Sequence, residues 1–112
     1  MYIFIIYIHP MGEIIIQDCV GFDWDKGNLD KNRDKHSVTN RECEQIFFNH
    51  PQLLYEDIRH SSKEKRLYIL GKTNNKRLLF TAFTIRNKLI RVISARNMSK
   101  KERKIYEKNT SL

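Results

Sequence analysis

Four runs of apolar residues in the second half of the chain predict the strands of one sheet. The runs lie at 53–58, 66–72, 77–85 and 88–96, and polar or turn-forming stretches separate them. Short connections of this kind favour an antiparallel meander, in which each strand pairs with the next one along the chain.

The last predicted strand is apolar on both faces, which is typical of a strand that is covered on both sides. Its pattern places Ile90 and Val92 on one face, and Leu89, Ile93 and Ala95 on the other. The same strand carries Arg91 and Arg96, and arginine is seldom buried without a partner. Either these guanidinium groups form salt bridges inside the protein, or they line a concave surface that receives an anion.

A polar segment before the first apolar run predicts a helix over 26–35, with Asp25 at its N-terminus. Leu29 is its only apolar residue, so this helix has little to bury. Lys31 and Lys35 lie one helical turn apart and give it a basic face. That face is either solvated or available to a ligand.

Two capping boxes, in which a hydroxyl residue is followed three places later by glutamate, predict the other helices. The box at Thr39 begins a short helix over 40–48, and the box at Ser99 begins a basic helix over 100–108. The predicted architecture is therefore an α+β domain, with two N-terminal helices and one C-terminal helix on a four-stranded antiparallel sheet.

The apolar run at 2–8 is too short to cross a bilayer, which needs about 20 residues. We interpret it as an edge strand or a disordered extension, with Met11 as an alternative translation start. Deleting residues 1–10 is expected to leave folding unchanged. The chain is thus divided into an extension, a folded domain and a tail, at 1–20, 21–108 and 109–112.

The charge of the chain indicates a polyanionic partner or an acidic protein partner. The 112 residues carry a formal net charge of +8, and Glu13 and Asp18 are the only charged residues among the first 21, so residues 22–112 carry +10. The two cysteines and four histidines are too scattered to predict a metal site, and we expect no cofactor. Few cysteines and no export signal are typical of a cytoplasmic protein.

Residues 21–107 contain a series of short motifs in a fixed order. They are Phe22-x-Trp24-Asp25, Asn28, Asn32, Lys35-His36-x-Val38, Asp57-x-Arg59-His60-Ser61-x-x-Glu64, Phe83-Thr84, Arg91-Val92-Ile93-Ser94-Ala95-Arg96 and Glu102-Arg103-x-x-Tyr106. In these residues and their order the chain resembles the BrnT toxins. Two features depart from the family: Ser37 stands where a glycine usually follows the histidine, and the leader 1–20 has no counterpart.

This resemblance implies a RelE-like fold and a ribonuclease toxin of a type II toxin–antitoxin module that arrests translation. It also implies a ribbon-helix-helix antitoxin, BrnA, which wraps the toxin and represses the shared operon. Operator DNA would then be reached only through the antitoxin, and no membrane is involved. RNA is the implied substrate.

Metal-independent RNA cleavage needs a base, an acid and cations that stabilise the phosphorane. Histidine suits proton transfer, and arginine suits phosphate binding. The candidates for catalysis are His60 and His36, with Glu64 as a further base, and Arg59, Arg91 and Arg96 as phosphate clamps. The candidates for RNA binding are Lys31, Lys35, Arg103 and Lys104.

Each candidate also has a structural interpretation. His60 can bond a carbonyl in a turn, His36 can end a helix, and Glu64 can pair with an arginine. Arg103 and Lys104 can form a solvated face. On the functional interpretation, we predict that Arg59, His60, Arg91 and Arg96 converge on one shallow basic pocket, with Lys31, Lys35 or His36 at its rim. Two other functions stay open: a non-catalytic nucleic-acid- or ribosome-binding module, and a protein-binding partner of an acidic antitoxin.

Overall fold

A computed structural model describes residues 4–7, 19–24, 36–57 and 65–110, and within them it contains six strands and two helices. In chain order these elements are β1 (Phe4–Tyr7), β2 (Gly21–Phe22), α1 (Asn40–Gln45), β3 (Leu53–Asp57), β4 (Arg66–Lys72), β5 (Leu78–Arg86), β6 (Leu89–Asn97) and α2 (Lys100–Thr110). The predicted helix over 26–35 lies outside the described residues.

The strands form one mixed sheet in the order β1-β3-β4-β5-β6-β2. The predicted antiparallel meander is confirmed, since β3, β4, β5 and β6 pair in sequence order. The prediction of a four-stranded, wholly antiparallel sheet is wrong, because β1 adds to one edge and β2 adds in parallel to the other. With only two residues, β2 is too short to show an alternating pattern, and its pairing depends on tertiary contact.

The N-terminal apolar run forms an edge strand, which confirms one of its two interpretations. β1 pairs with β3 over four residues, from Phe4 opposite Asp57 to Tyr7 opposite Leu54. That residues 1–10 are dispensable stays a prediction. The pairing of β1 with β3 weighs against this prediction, because deletion would uncover the backbone hydrogen-bonding edge of β3.

A bulge in β6 changes which residues face each side of the sheet. The pairing with β5 shifts once, and this leaves Ile93 as an extra residue between Val92 and Ser94. Ala95 therefore lies in the same buried cluster as Val92, whereas Ile93 packs against the cluster on the other face. The prediction that Ala95 shares a face with Ile93 is wrong, because a period of two does not continue through a bulge.

The two faces of the sheet carry separate cores. The first face, called the α1 face, is covered by α1; its cluster contains Val38, Cys43, Ile46, Phe47, Leu54, Leu67, Ile69, Leu79, Phe83, Ile90, Val92 and Ala95. The opposite face, called the α2 face, is covered at one end by α2; its cluster contains Leu53, Tyr55, Tyr68, Leu70, Phe80, Ala82, Met98 and Tyr106. The Tyr106 hydroxyl donates to the Pro51 carbonyl at 2.7 Å and fixes α2 beside the start of β3.

Both predicted capping boxes are present. The hydroxyl of Thr39 accepts from the Glu42 N–H, and that of Ser99 accepts from the Glu102 N–H, both at 3.1 Å. α1 is shorter than the predicted 40–48, because the chain tightens into turns closed by bonds such as Phe47 N–H to Glu44 O. In the described part of the chain, no helix is long and apolar enough to cross a membrane.

Candidate nucleic-acid interface

A row of polar side chains crosses the α2 face at the end of the sheet away from α2. Arg66 on β4 pairs with Thr84 on β5, and Thr84 pairs with Arg91 on β6. Residues directly opposite one another on neighbouring strands lie on the same face, with Cβ atoms about 5 Å apart. We call Arg66, Thr84 and Arg91 the arginine row. It places two guanidinium-bearing residues on one face, separated by a single strand.

A buried carboxylate adjoins this row at the end of β3. The side chain of Asp57 is 0% exposed, and its Oδ2 accepts a hydrogen bond from the Tyr68 hydroxyl. The Nε of Arg66 lies 3.8 Å from the same oxygen. A buried carboxylate is costly unless it is partnered, and these contacts lower the cost of burying Asp57. The Arg66 side chain keeps 30% exposure although its Nε is buried, so part of the side chain reaches the protein surface.

Arg91, one of the predicted phosphate clamps, lies half-buried in the arginine row. Arg59, His60 and Glu64 lie outside the described residues. In the sequence they fall between Asp57, the last residue of β3, and Arg66, the first residue of β4. Arg66 belongs to the arginine row, and Asp57 adjoins it.

Arg96, the other predicted clamp on β6, lies on the same face as Arg91 but beside α2. Its NH1 and NH2 donate to the two carboxylate oxygens of Glu102 at 2.8 and 3.0 Å, and its guanidinium carbon lies 4.2 Å from the centre of the Phe80 ring. Phe80 is four residues along β5 from Thr84, which puts Arg96 about 13 Å from the arginine row. These contacts give Arg96 a structural role, and its action on phosphate stays a prediction.

The pKa of the Glu102 carboxyl reflects its contact with Arg96. Burial alone would raise its pKa, but hydrogen bonds from Arg96 and from the Ser99 N–H, together with the arginine charge, lower the pKa below its ordinary value of 4.5. Glu102 thus stays ionised and holds α2 against β6.

His36 is half-buried and lies near the opposite end of β5 from the arginine row. Its carbonyl accepts from Arg77 at 3.4 Å, and Arg77 immediately precedes β5, whereas Thr84 is near the end of that strand. Arg77 also donates to the Ser37 carbonyl at 2.8 Å and to the carboxylate of Glu42. The structure therefore does not bring His36 to Arg91, and the catalytic role of His36 stays a prediction.

The predicted RNA-binding residues are only partly described. Arg103 and Lys104 are exposed on α2, while Lys31 and Lys35 lie outside the described residues. Trp24 packs against the core of the α1 face, and its Nε1 donates to Glu44 at 2.8 Å.

The sequence prediction did not include Asp57, Tyr68 or Arg66 as site residues. A signal for two of them was present, because Arg66 and Tyr68 are two places apart on a strand and must share a face. The meeting of that face with the last residue of β3 depends on strand register, which the apolar pattern does not give.

Together these features define a small, basic α+β domain that presents arginine side chains across one face of its sheet, as polyanion-binding domains do. The comparison with protein families is more specific. The model of the ribonuclease toxin BrnT of type II toxin–antitoxin systems matches residues 24–102, and the chain therefore belongs to this family. A search of curated proteins finds no match.

Proposed function

We propose that this protein is a metal-independent endoribonuclease in which Arg91, on the α2 face, binds the scissile phosphate of RNA. The observation that carries the proposal is the row itself: Arg91 and Arg66 share one face, next to the strand end from which Arg59 and His60 follow. Membership in a ribonuclease toxin family supports RNA as the polyanion. The net charge of +8 supports electrostatic attraction to it.

The proposed reaction is a transesterification within the RNA strand. A base removes the proton of a ribose 2′-hydroxyl, the oxygen attacks the adjacent phosphorus, and the bond from phosphorus to the 5′ oxygen breaks. An acid returns a proton to that leaving oxygen. The products are a 2′,3′-cyclic phosphate and a 5′-hydroxyl, and no water, metal or cofactor is consumed.

Residue roles follow from this reaction. Arg91 and Arg59 neutralise the phosphorane, since a guanidinium fork fits phosphate oxygens. His60 transfers a proton, and Glu64 is the alternative base, because both belong to the segment between β3 and β4. Lys31, Lys35, Arg103 and Lys104 contact the RNA backbone farther from the scissile bond.

Cleavage of single-stranded RNA by the purified protein in the presence of a chelator tests the reaction. We expect cyclic phosphate and 5′-hydroxyl termini, and a loss of rate of about 10²–10⁴ for His60→Ala at unchanged melting temperature. Glu64→Ala separates two roles, because a base loses activity alone, while an ion-pair partner also loses stability. Termini of another kind, or full activity of His60→Ala, would contradict the assignment.

As a toxin of a type II system, the protein is expected to stop growth by cutting RNA needed for translation. We further propose a RelE-like mode of action, a cytoplasmic location, and a ribbon-helix-helix antitoxin that covers the arginine row and links the toxin to operator DNA. Induced expression with and without the neighbouring gene, followed as growth and RNA integrity, tests this. Growth arrest by the wild-type protein with intact RNA would favour a non-catalytic binding module.

A further inference from the structure

Arg66, the second arginine of the row, lies next to the buried carboxylate of Asp57 at the end of β3. We infer that Arg66 binds the backbone of single-stranded RNA together with Arg91, and that Asp57 and Tyr68 position Arg66 for this contact. The inference rests on the proposed function, because it assigns further residues to the same RNA site.

The side chains that contact Arg66 are rigidly packed. The Tyr68 ring lies between two aromatic rings, with centroids 5.1 Å from Tyr55 and 4.9 Å from Phe80. This packing fixes the direction of the Tyr68 hydroxyl, which donates to Asp57. Asp57 in turn faces the Nε of Arg66. A chain of fixed contacts thus runs from the core to a guanidinium at the surface, which is how preorganised binding groups are held.

The pair of Arg66 and Asp57 differs from the other arginine–carboxylate pair on this face. Arg96 and Glu102 join α2 to β6, and both carboxylate oxygens accept from the guanidinium at 2.8 and 3.0 Å. Arg66 and Asp57 instead belong to neighbouring strands that the sheet already joins, and the Arg66 Nε lies 3.8 Å from the Asp57 Oδ2. A buried ion pair adds little net stability. The pair therefore orients Arg66 more than it stabilises the fold.

The position of Arg66 relative to Arg91 also suits RNA binding. Arg66 is the first residue of β4, and across Thr84 it lies level with Arg91, about 10 Å away at two strand spacings. Two guanidinium groups at this separation along one face suit successive contacts with a phosphate backbone, since arginine forms charge-assisted bonds to phosphate oxygens.

The first test measures binding without cleavage, with mixed-sequence RNA oligonucleotides whose 2′-hydroxyls are methylated. Arg66→Gln is expected to weaken binding about tenfold to hundredfold. It should also reduce the slope of log affinity against log salt by about 0.7, as for one lost phosphate contact to a single strand. Arg41→Gln is the control, because Arg41 is exposed on α1, against the opposite face. The same affinity and slope for Arg66→Gln and wild type would overturn the inference.

The second test asks whether Asp57 acts through Arg66. Asp57→Asn keeps the arginine but removes its charged partner, and we expect a severalfold loss of RNA affinity. In an Arg66→Gln background the same change should cause no further loss. Equal losses in both backgrounds would show a merely structural role for Asp57 and overturn this part. Tyr68→Phe keeps the packed ring, and should give the same pattern if Asp57→Asn does not fold.

The outcomes separate this inference from the proposed function. If Arg91→Ala loses binding and cleavage while Arg66→Gln retains both, Arg66 is not part of the site and the proposed ribonuclease stands. If the wild-type protein neither binds nor cleaves RNA, the proposed function fails, and this inference fails with it.

Discussion

Replacing Glu102 by alanine is expected to loosen α2 from the sheet, because this carboxylate makes three hydrogen bonds. It accepts two from Arg96 and one from the Ser99 N–H at 2.7 Å. The side chain of Glu102 is 16% exposed and that of Arg96 is 38% exposed, so the pair is partly screened by solvent.

The expected destabilisation is about 2 kcal/mol. A partly exposed ion pair contributes up to about 1 kcal/mol, and the bidentate geometry places this one at the upper end of that range. Loss of the helix-capping contact contributes about 1 kcal/mol more. In a domain of this size, such a change lowers the melting temperature by roughly 8 °C.

The pH dependence has a definite sign. The pKa of Glu102 is lowered in the folded protein, so its contribution is fully present above the ordinary value of 4.5 and is lost as the pH falls toward the lowered pKa. Wild-type stability should therefore fall more steeply than that of Glu102→Ala as the pH falls below 4.5.

Urea denaturation of Glu102→Ala, Arg96→Met and the double variant measures these effects, with Lys101→Ala as an exposed control on the same helix. We expect a coupling energy near 1 kcal/mol and a control change within about 0.5 kcal/mol. Equal losses for Glu102→Ala and Lys101→Ala, or parallel pH profiles of wild type and Glu102→Ala, would contradict a stabilising role of Glu102. RNA cleavage by the folded Arg96→Met protein then decides its second predicted role: normal rates indicate a structural residue, and lost activity supports a phosphate clamp.

Three smaller predictions concern the core. Gly71→Ala should destabilise the fold by about 1–3 kcal/mol in urea denaturation, because an added Cβ would lie 3.1 Å from both the Cβ and the carbonyl oxygen of Ile46. Thr81→Val should be neutral or stabilising in the same assay, since the fully buried Thr81 hydroxyl has no hydrogen-bond partner among the described residues. Burial raises the pKa of Cys43 to about 12, so mass spectrometry after maleimide treatment near pH 8 should find Cys19 labelled and Cys43 unlabelled until urea is added.

The fold was predictable where its signals are local. Apolar runs and turn residues gave the four central strands to within about two residues, and the capping boxes at Thr39 and Ser99 gave two helix starts. The parallel pairing of Gly21 with Leu89 was not predictable, because no local pattern specifies a partner that far along the chain. The bulge at Ile93 is likewise set by how β5 and β6 twist together.

The candidate site was predictable only for residues that carry a local signal in the sequence. Arg91 stood out as a charge within an apolar strand, and the structure places it on a face with other polar residues. Asp57 did not stand out, since a strand ending in a carboxylate is common at the surface. Only strand register shows that Asp57 is buried against Tyr68 and Arg66. Register likewise places Arg96 beside α2 rather than beside Arg91.

The rate of RNA cleavage by Arg91→Ala compared with Arg41→Ala under single-turnover conditions tests the position of the ribonuclease site most directly. Each variant removes one positive charge, but only Arg91 lies in the arginine row. We expect Arg91→Ala to cleave about 10²–10³ times more slowly than wild type at an unchanged melting temperature, and Arg41→Ala to cleave at the wild-type rate. Equal rates for the two variants would contradict the placement of the ribonuclease site on this face of the sheet.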